Sequence, residues 1–303
     1  MANLLERLPA GSRIAVIRLR SLGDCVLTTP ALALLKSHRP DVRIGVVVEE
    51  RFAAVFEDSP DVDEILPPAA SAVVKWRPKM ALNFHGGTRS MWLAAASRAE
   101  ITAGFAHHAY SFLYNAKIPR AQEILGEERR VHTAEHMASA MFWMGVPRTE
   151  IPRARLTAGK PALPGAYAVF HPFASTPEKT WPAAGFLAVA EHLREKAGLD
   201  PVFLAGPDDN SAAFAGFNVY RNAPLDQVIS IVAGAQLFIG NDSGPAHIAA
   251  AFGVPVVALF GPSDPVNWAP WRTESQVLTS PESIARISVE EVIAAAEALR
   301  VRA

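Results

Sequence analysis

Residues 13–37 read RIAVIRLRSLGDCVLTTPALALLKS, and a change of period inside them sets the fold class. RIAVIRL is short, apolar and rich in β-branched residues, which suits a strand buried on both faces of a parallel sheet. After the polar turn RSLGD, the apolar residues over 26–37 fall at helical spacing. Strand then helix is the repeating unit of α/β folds. The unit recurs at IGVVV (44–48), EIL (64–66) and MALNF (80–84), with a helix expected over 90–99. A parallel sheet with helices on both faces follows.

A further apolar stretch of helical character covers 132–145, and then PRTEIPRARLTAGKPALPG (147–165) places four prolines where no regular period survives. This is the expected linker, assigned to 151–164, between a domain at 1–150 and another at 165–303. Beyond it the same grammar restarts with AYAVF (166–170), PVFLA (201–205), AQLFIG (235–240) and VPVVALF (254–260). Two Rossmann-like α/β domains are the expectation. The segment 288–300 has the alanine and glutamate content of a closing helix, expected to pack on one domain, to bridge both or to fold back on the first.

The chain has 303 residues, half of them hydrophobic and 19% charged, enough for two cores. A formal net charge of −1 gives no general attraction to nucleic acid or anionic lipid. Cys25 is the only cysteine, so no intrachain disulfide or cysteine-based zinc cluster is available, which fits the reducing cytoplasm. No signal-like run opens the chain, and no later stretch is apolar for the roughly 20 residues of a membrane span. Any membrane contact is expected to be peripheral.

Open α/β sheets bind ligands beyond the carboxyl ends of their strands, so the loops after the strands carry the chemistry. In NDSGPAHIAAAFGVPVVALFGPSDP (241–265), Asp242 or Ser243 can cap a helix beginning near Pro245, and Gly244 keeps bulk away from an incoming group. Free amides at a helix start attract anions, and His247 falls four residues after Ser243, on the same face. Lys179, in the loop STPEK (175–179), can neutralise the same anion. Plain capping, a buried imidazole and a surface lysine are the structural alternatives. The first turn of the chain is different: its only glycine, Gly23, is followed by Asp24, whose carboxylate would repel a phosphate. That loop offers a base, or a cap for a helix starting at Cys25.

The segments IAVIRLRSLGDCVLTTPAL, HPFASTPEKTWP and NDSGPAHIAAAFGVPVVALFGPSDP together resemble the bacterial lipopolysaccharide heptosyltransferases of glycosyltransferase family 9, over nearly the whole chain. The resemblance implies a GT-B architecture of two Rossmann-like domains with parallel sheets facing an interdomain cleft, the acceptor on the first and ADP-heptose on the second. It implies inverting transfer to a lipid-linked core oligosaccharide at the inner face of the inner membrane, with Asp24 as general base. Lys179 then stands near the donor phosphates with Ser175, Thr176, Asp242, Ser243, Gly244 and His247, and Asp208, or its neighbour Asp209, at the ribose. The family often has serine where this chain has Arg20, which becomes an acceptor candidate with Glu49 and His85; Glu50, His107 and His108 lie on the same side. No cofactor and no metal are expected, because a lysine and a helix end can replace a divalent cation. The D-x-D spacing of Asp61 and Asp63 reads as a surface turn. A sugar-nucleotide epimerase of the same architecture, or a sugar-nucleotide-binding protein without catalysis, are the competing functions.

Overall fold

The structure, a computed structural model, describes residues 3–160 and 163–301; Pro161 and Ala162 of the expected linker lie outside them, as do the first two and last two residues of the expected domains. The chain divides into two compact units, Met1–Thr157 and Ala158–Ala303.

The first unit runs β1 (Arg13–Ile17), α1 (Leu22–His38), β2 (Arg43–Val47), β3 (Glu64–Leu66), α2 (Ala70–Trp76), β4 (Met80–Asn83), α3 (Thr88–Ala96), β5 (Ile101–Phe105), β6 (Ala116–Ile118), α4 (Ala121–Leu125) and α5 (Thr133–Met144). Its sheet has the order β3-β2-β1-β4-β5-β6, parallel throughout. β1, β2 and β4 are buried along almost their whole length, as strands covered on both faces must be, and this is why they read as apolar runs. α1 begins at Leu22, three residues before the expected start at Cys25. Ser21 is its N-cap and Asp24 lies in its first turn, so Asp24 does not cap a helix starting at Cys25.

The second unit repeats the plan with β7 (Tyr167–His171), α6 (Ala183–Ala197), β8 (Asp200–Ala205), β9 (Asn218–Arg221), α7 (Leu225–Ala233), β10 (Leu237–Asn241), α8 (Gly244–Phe252), β11 (Val256–Phe260), α9 (Pro265–Trp268), β12 (Ser275–Thr279) and α10 (Val289–Arg300). Its order is β12-β11-β10-β7-β8-β9, again all parallel. Phe170, Phe186, Phe203 and Phe214 fill the core with Trp181, and α10 adds Val292, Ala296 and Leu299 to the same cluster. Burying each large apolar side chain contributes about 1.5–3 kcal/mol. α10 therefore closes the second unit, and its start is fixed by Ser288 and Glu291, each accepting the other's backbone N–H at 3.2 and 2.8 Å.

In each sheet the first strand of the unit lies centrally, flanked by the second strand on one side and the fourth on the other. Successive loops leave in opposite directions there, which opens a crevice at the carboxyl ends of β1 and β4, and of β7 and β10. Among the described residues no helix is long and apolar enough to cross a membrane.

Candidate functional site

At the switch point of the first sheet, β1 runs into Arg18, whose residue is only 4% exposed. Its Nη1 donates to Asp24 Oδ1 at 3.3 Å and its Nη2 to Met137 Sδ at 3.1 Å. Burial works against the guanidinium charge, and Asp24 is the main group that offsets it. Asp24 Oδ2 accepts the Ser21 hydroxyl at 2.9 Å and, more weakly, the Ser21 N–H at 3.4 Å. Asp24 is thus at once a helix-start residue and the counter-charge of a buried arginine. Cys25, next to it, is an inert thiol, pushed up to about 12 by burial.

Three imidazoles, His85, His108 and His136, gather around Arg18, and His107 packs against the latter two. His85, after β4, is fixed by a 3.1 Å contact between Nδ1 and the Arg20 carbonyl, which only an Nδ1–H can make as a hydrogen bond, so neutral His85 keeps its lone pair on Nε2. Burial, then Arg18, holds its pKa below the usual value. His108 pairs through Nδ1 with the Tyr114 hydroxyl at 2.9 Å, and His136 stacks on Phe105 at 3.9 Å between centroids. Burial pushes both down to about 4, and lowers His107 as well. Arg20 itself is exposed. Glu49 lies at the end of β2, joined to Arg51 at 2.8 Å and Arg89 at 3.8 Å, and it lines an open concavity of about 430 Å³ with Val48, Ala53, Leu66 and Pro67.

Asp61 and Asp63 are not a surface pair. Asp61 is 6% exposed and meets Arg155 at 3.3 Å, while Asp63 takes the Ile44 N–H at 2.7 Å and Lys36 at 2.9 Å. Both tie the chain together. Among the described residues no three His, Cys, Asp or Glu side chains converge so as to hold a metal ion.

At the switch point of the second sheet, Lys179 ends a single 3₁₀ turn (Pro177–Lys179), and its Nζ lies 3.2 Å from Asp242 Oδ2. The turn presses close to the loop after β11: a Cβ on Gly261 would stand 2.5 Å from the Glu178 carbonyl, so only glycine leaves room. Ser243 is the N-cap of α8, but its hydroxyl makes no capping bond; it sits 2.9 Å from His171 Nδ1. Pro245 brings no amide and the Ala246 N–H turns back to the Ser243 carbonyl, so the Gly244 N–H is the donor this helix start presents. His247 is buried on α8. Asn241, wholly buried, accepts the Trp181 N–H at 3.1 Å, while its Nδ2 has no partner among the described residues.

Ser175 and Thr176 are exposed and line an open concavity of about 470 Å³ with Thr180, Trp181 and Pro182. Neither Lys179 nor Asp242 lines it, so the hollow does not include the Lys179–Asp242 pair. Asp208 is exposed, whereas Asp209 Oδ2 accepts the Gly206 N–H at 2.7 Å and closes its own loop. Sequence reasoning passed over Arg18, His136 and His171 as partners. Only Arg18 left a sign, a charge inside an apolar strand.

The family model "Glycosyltransferase family 9 (heptosyltransferase)" matches residues 77–293. Lipopolysaccharide heptosyltransferase 3 of Escherichia coli is 26% identical over 296 residues, 84% of this chain and 84% of that protein. Among solved structures, a family 9 glycosyltransferase from Veillonella parvula DSM 2008 superposes with a TM-score of 0.85 at 25% identity, over 96% of this chain and 98% of that one. E. coli heptosyltransferase WaaC, solved with ADP, gives 0.79 at 19% identity, over 95% and 99%. The two parallel six-stranded α/β units are the GT-B pair expected from the sequence.

Proposed function

Since the chain belongs to glycosyltransferase family 9, we propose that it moves a heptose from ADP-heptose to the inner core of lipopolysaccharide, with inversion and without a metal ion. It works in the cytoplasm and meets its lipid-linked acceptor by peripheral contact with the membrane. The observation that carries the donor half is the Lys179–Asp242 pair at the start of α8. A lysine held there, with the Gly244 amide and the positive helix end, gives the charge that a departing diphosphate needs. ADP in the WaaC structure is the nucleotide product of the same kind of donor.

The acceptor hydroxyl oxygen attacks the anomeric carbon as the bond from that carbon to the β-phosphate oxygen breaks. The electron pair leaves with ADP, and the acceptor proton passes to Asp24. Such a base contributes a factor of roughly 10²–10⁴. Arg18 gives Asp24 a fixed partner, and His85 offers its Nε2 lone pair to acceptor hydroxyls alongside Arg20 and Glu49. In the second unit Ser175, Thr176, Ser243 and His247 assist Lys179 at the phosphates. Asp208, whose carboxylate is exposed, takes the ribose in preference to Asp209.

The test is incubation of the purified protein with labelled ADP-heptose, with and without deacylated core acceptor, in the presence of a chelator. Labelled acceptor and ADP are the expected products, and Lys179→Ala should weaken ADP binding about 10- to 100-fold, the range for a charge-assisted contact. Altered nucleotide sugar formed without acceptor, or activity abolished by chelation alone, would refute the proposal.

A further inference from the structure

The Ser243 hydroxyl occupies an N-cap position with extended backbone (φ −155°, ψ 164°), yet it does not cap α8. A capping serine normally stabilises a helix start, so the side chain is held elsewhere by something stronger. That partner is His171, the last residue of β7, 2.9 Å away. Parallel pairing sets His171 beside Gly240 on β10, three residues before Ser243. The two residues, 72 positions apart in the chain, therefore meet across the switch point, beside the Lys179–Asp242 pair.

We infer that His171 is a positioning residue for the donor: its Nδ1–H donates to Ser243 Oγ, which leaves the Ser243 O–H free to donate to the diphosphate. The direction follows from the ligand. If Nδ1 instead took the serine proton, the oxygen turned toward the phosphates would present only lone pairs to an anion. Desolvation pushes His171 down to about 4, so the ring is neutral at physiological pH and carries one proton to be placed. Neutrality matters as well, because the hydroxyl then keeps its orientation without a titrating charge beside the leaving group. The inference rests on the reading of the second unit as the donor site.

The experiment is a double-mutant cycle read by calorimetric titration with ADP, using the full chain as wild type, Ser243→Ala, His171→Phe and the double variant. Ser243→Ala should weaken ADP about tenfold or more, as loss of a hydrogen bond to a charged group does. His171→Phe should cost about 5- to 10-fold in the native background and under about twofold once Ser243 is alanine. His171→Asn, whose amide N–H can stand in for Nδ1–H, should recover most of the affinity. Equal factors in both backgrounds, or no effect of His171→Phe, would overturn the positioning role. Should the phenyl variant not fold, His171→Leu against His171→Asn decides the matter: leucine weaker supports the role, equal affinity sinks it. If wild type does not bind ADP at all, the donor reading itself fails; if it binds and Lys179→Ala weakens it while the cycle is additive, only the role of His171 fails.

Discussion

Replacing Asp24 by Asn tests the base, and the structure changes what that experiment must control. Asn retains the size and can still accept from Ser21, so the helix start survives. What disappears is the counter-charge of Arg18, a guanidinium in a residue 4% exposed. Breaking a fully buried pair costs about 3–5 kcal/mol. The contact here is long, 3.3 Å, and the Asp24 side chain is 24% exposed, so the lower figure of about 1–3 kcal/mol applies. At about 2–4 °C per kcal/mol for a unit of this size, melting should fall by about 2–12 °C, which leaves a folded enzyme at 25 °C. Turnover should fall far more, by roughly 10²–10⁴, or about 3–5 kcal/mol of barrier. The assay is steady-state turnover at 25 °C with donor and deacylated acceptor, beside melting curves and ADP titration. Ser21→Ala is the control, since it loosens the same helix start while leaving carboxylate and arginine in place; its turnover should stay within about tenfold. Asp24→Asn that stays folded and turns over within about fivefold of wild type would end the base assignment, and so would equal losses in the two variants.

Gly261→Ala should act on the donor side without touching any group that bears charge. Its Cβ would meet the Glu178 carbonyl at 2.5 Å, so the turn carrying Lys179 must shift, at about 1–3 kcal/mol; melting should drop and ADP bind severalfold more weakly, and a variant unchanged in both measurements would show that the close approach is dispensable. Stability should also fall with pH in acid. His108, His136 and His171 are each held near 4 in the folded chain by burial, against 6.5 ordinarily. The unfolded chain therefore binds more protons between these values, and the stability present above pH 6.5 is lost as pH drops toward 4. Melting temperatures across pH 4–7.5 check this, and a flat profile from 6.5 to 4.5 would refute it.

The central strands were legible because they are buried on both faces and must be apolar throughout. Expected limits at 44–48, 64–66 and 201–205 fall within a residue of β2, β3 and β8. The edge strands β9 and β12 are half exposed, so NVYR and SQVLT carry no apolar run and gave no signal. β5 was hidden for another reason: Gly104 interrupts ITAGF, where a Cβ would run into the Tyr114 ring at 2.3 Å. The loop before α8 was readable as a helix start, since serine, glycine and proline in that order leave few conformations open. The acidic pair Asp61 and Asp63 misled, because spacing does not reveal that Arg155, 94 residues away, would bury one of them.

The sequence by itself determined the alternation of strand and helix, its restart after the proline-rich stretch, and the loops where polar chemistry would collect. These follow from periodicity and from the few residues that permit a turn, which are properties of neighbours along the chain. Only the tertiary structure decided which of those loops meet. Strand order brings Lys179 to Asp242 and His171 to Ser243, and burial sets Arg18 against Asp24 within a ring of neutral histidines. Such contacts join residues as much as 72 positions apart, and their energies depend on distance and desolvation, which no local pattern of residues encodes.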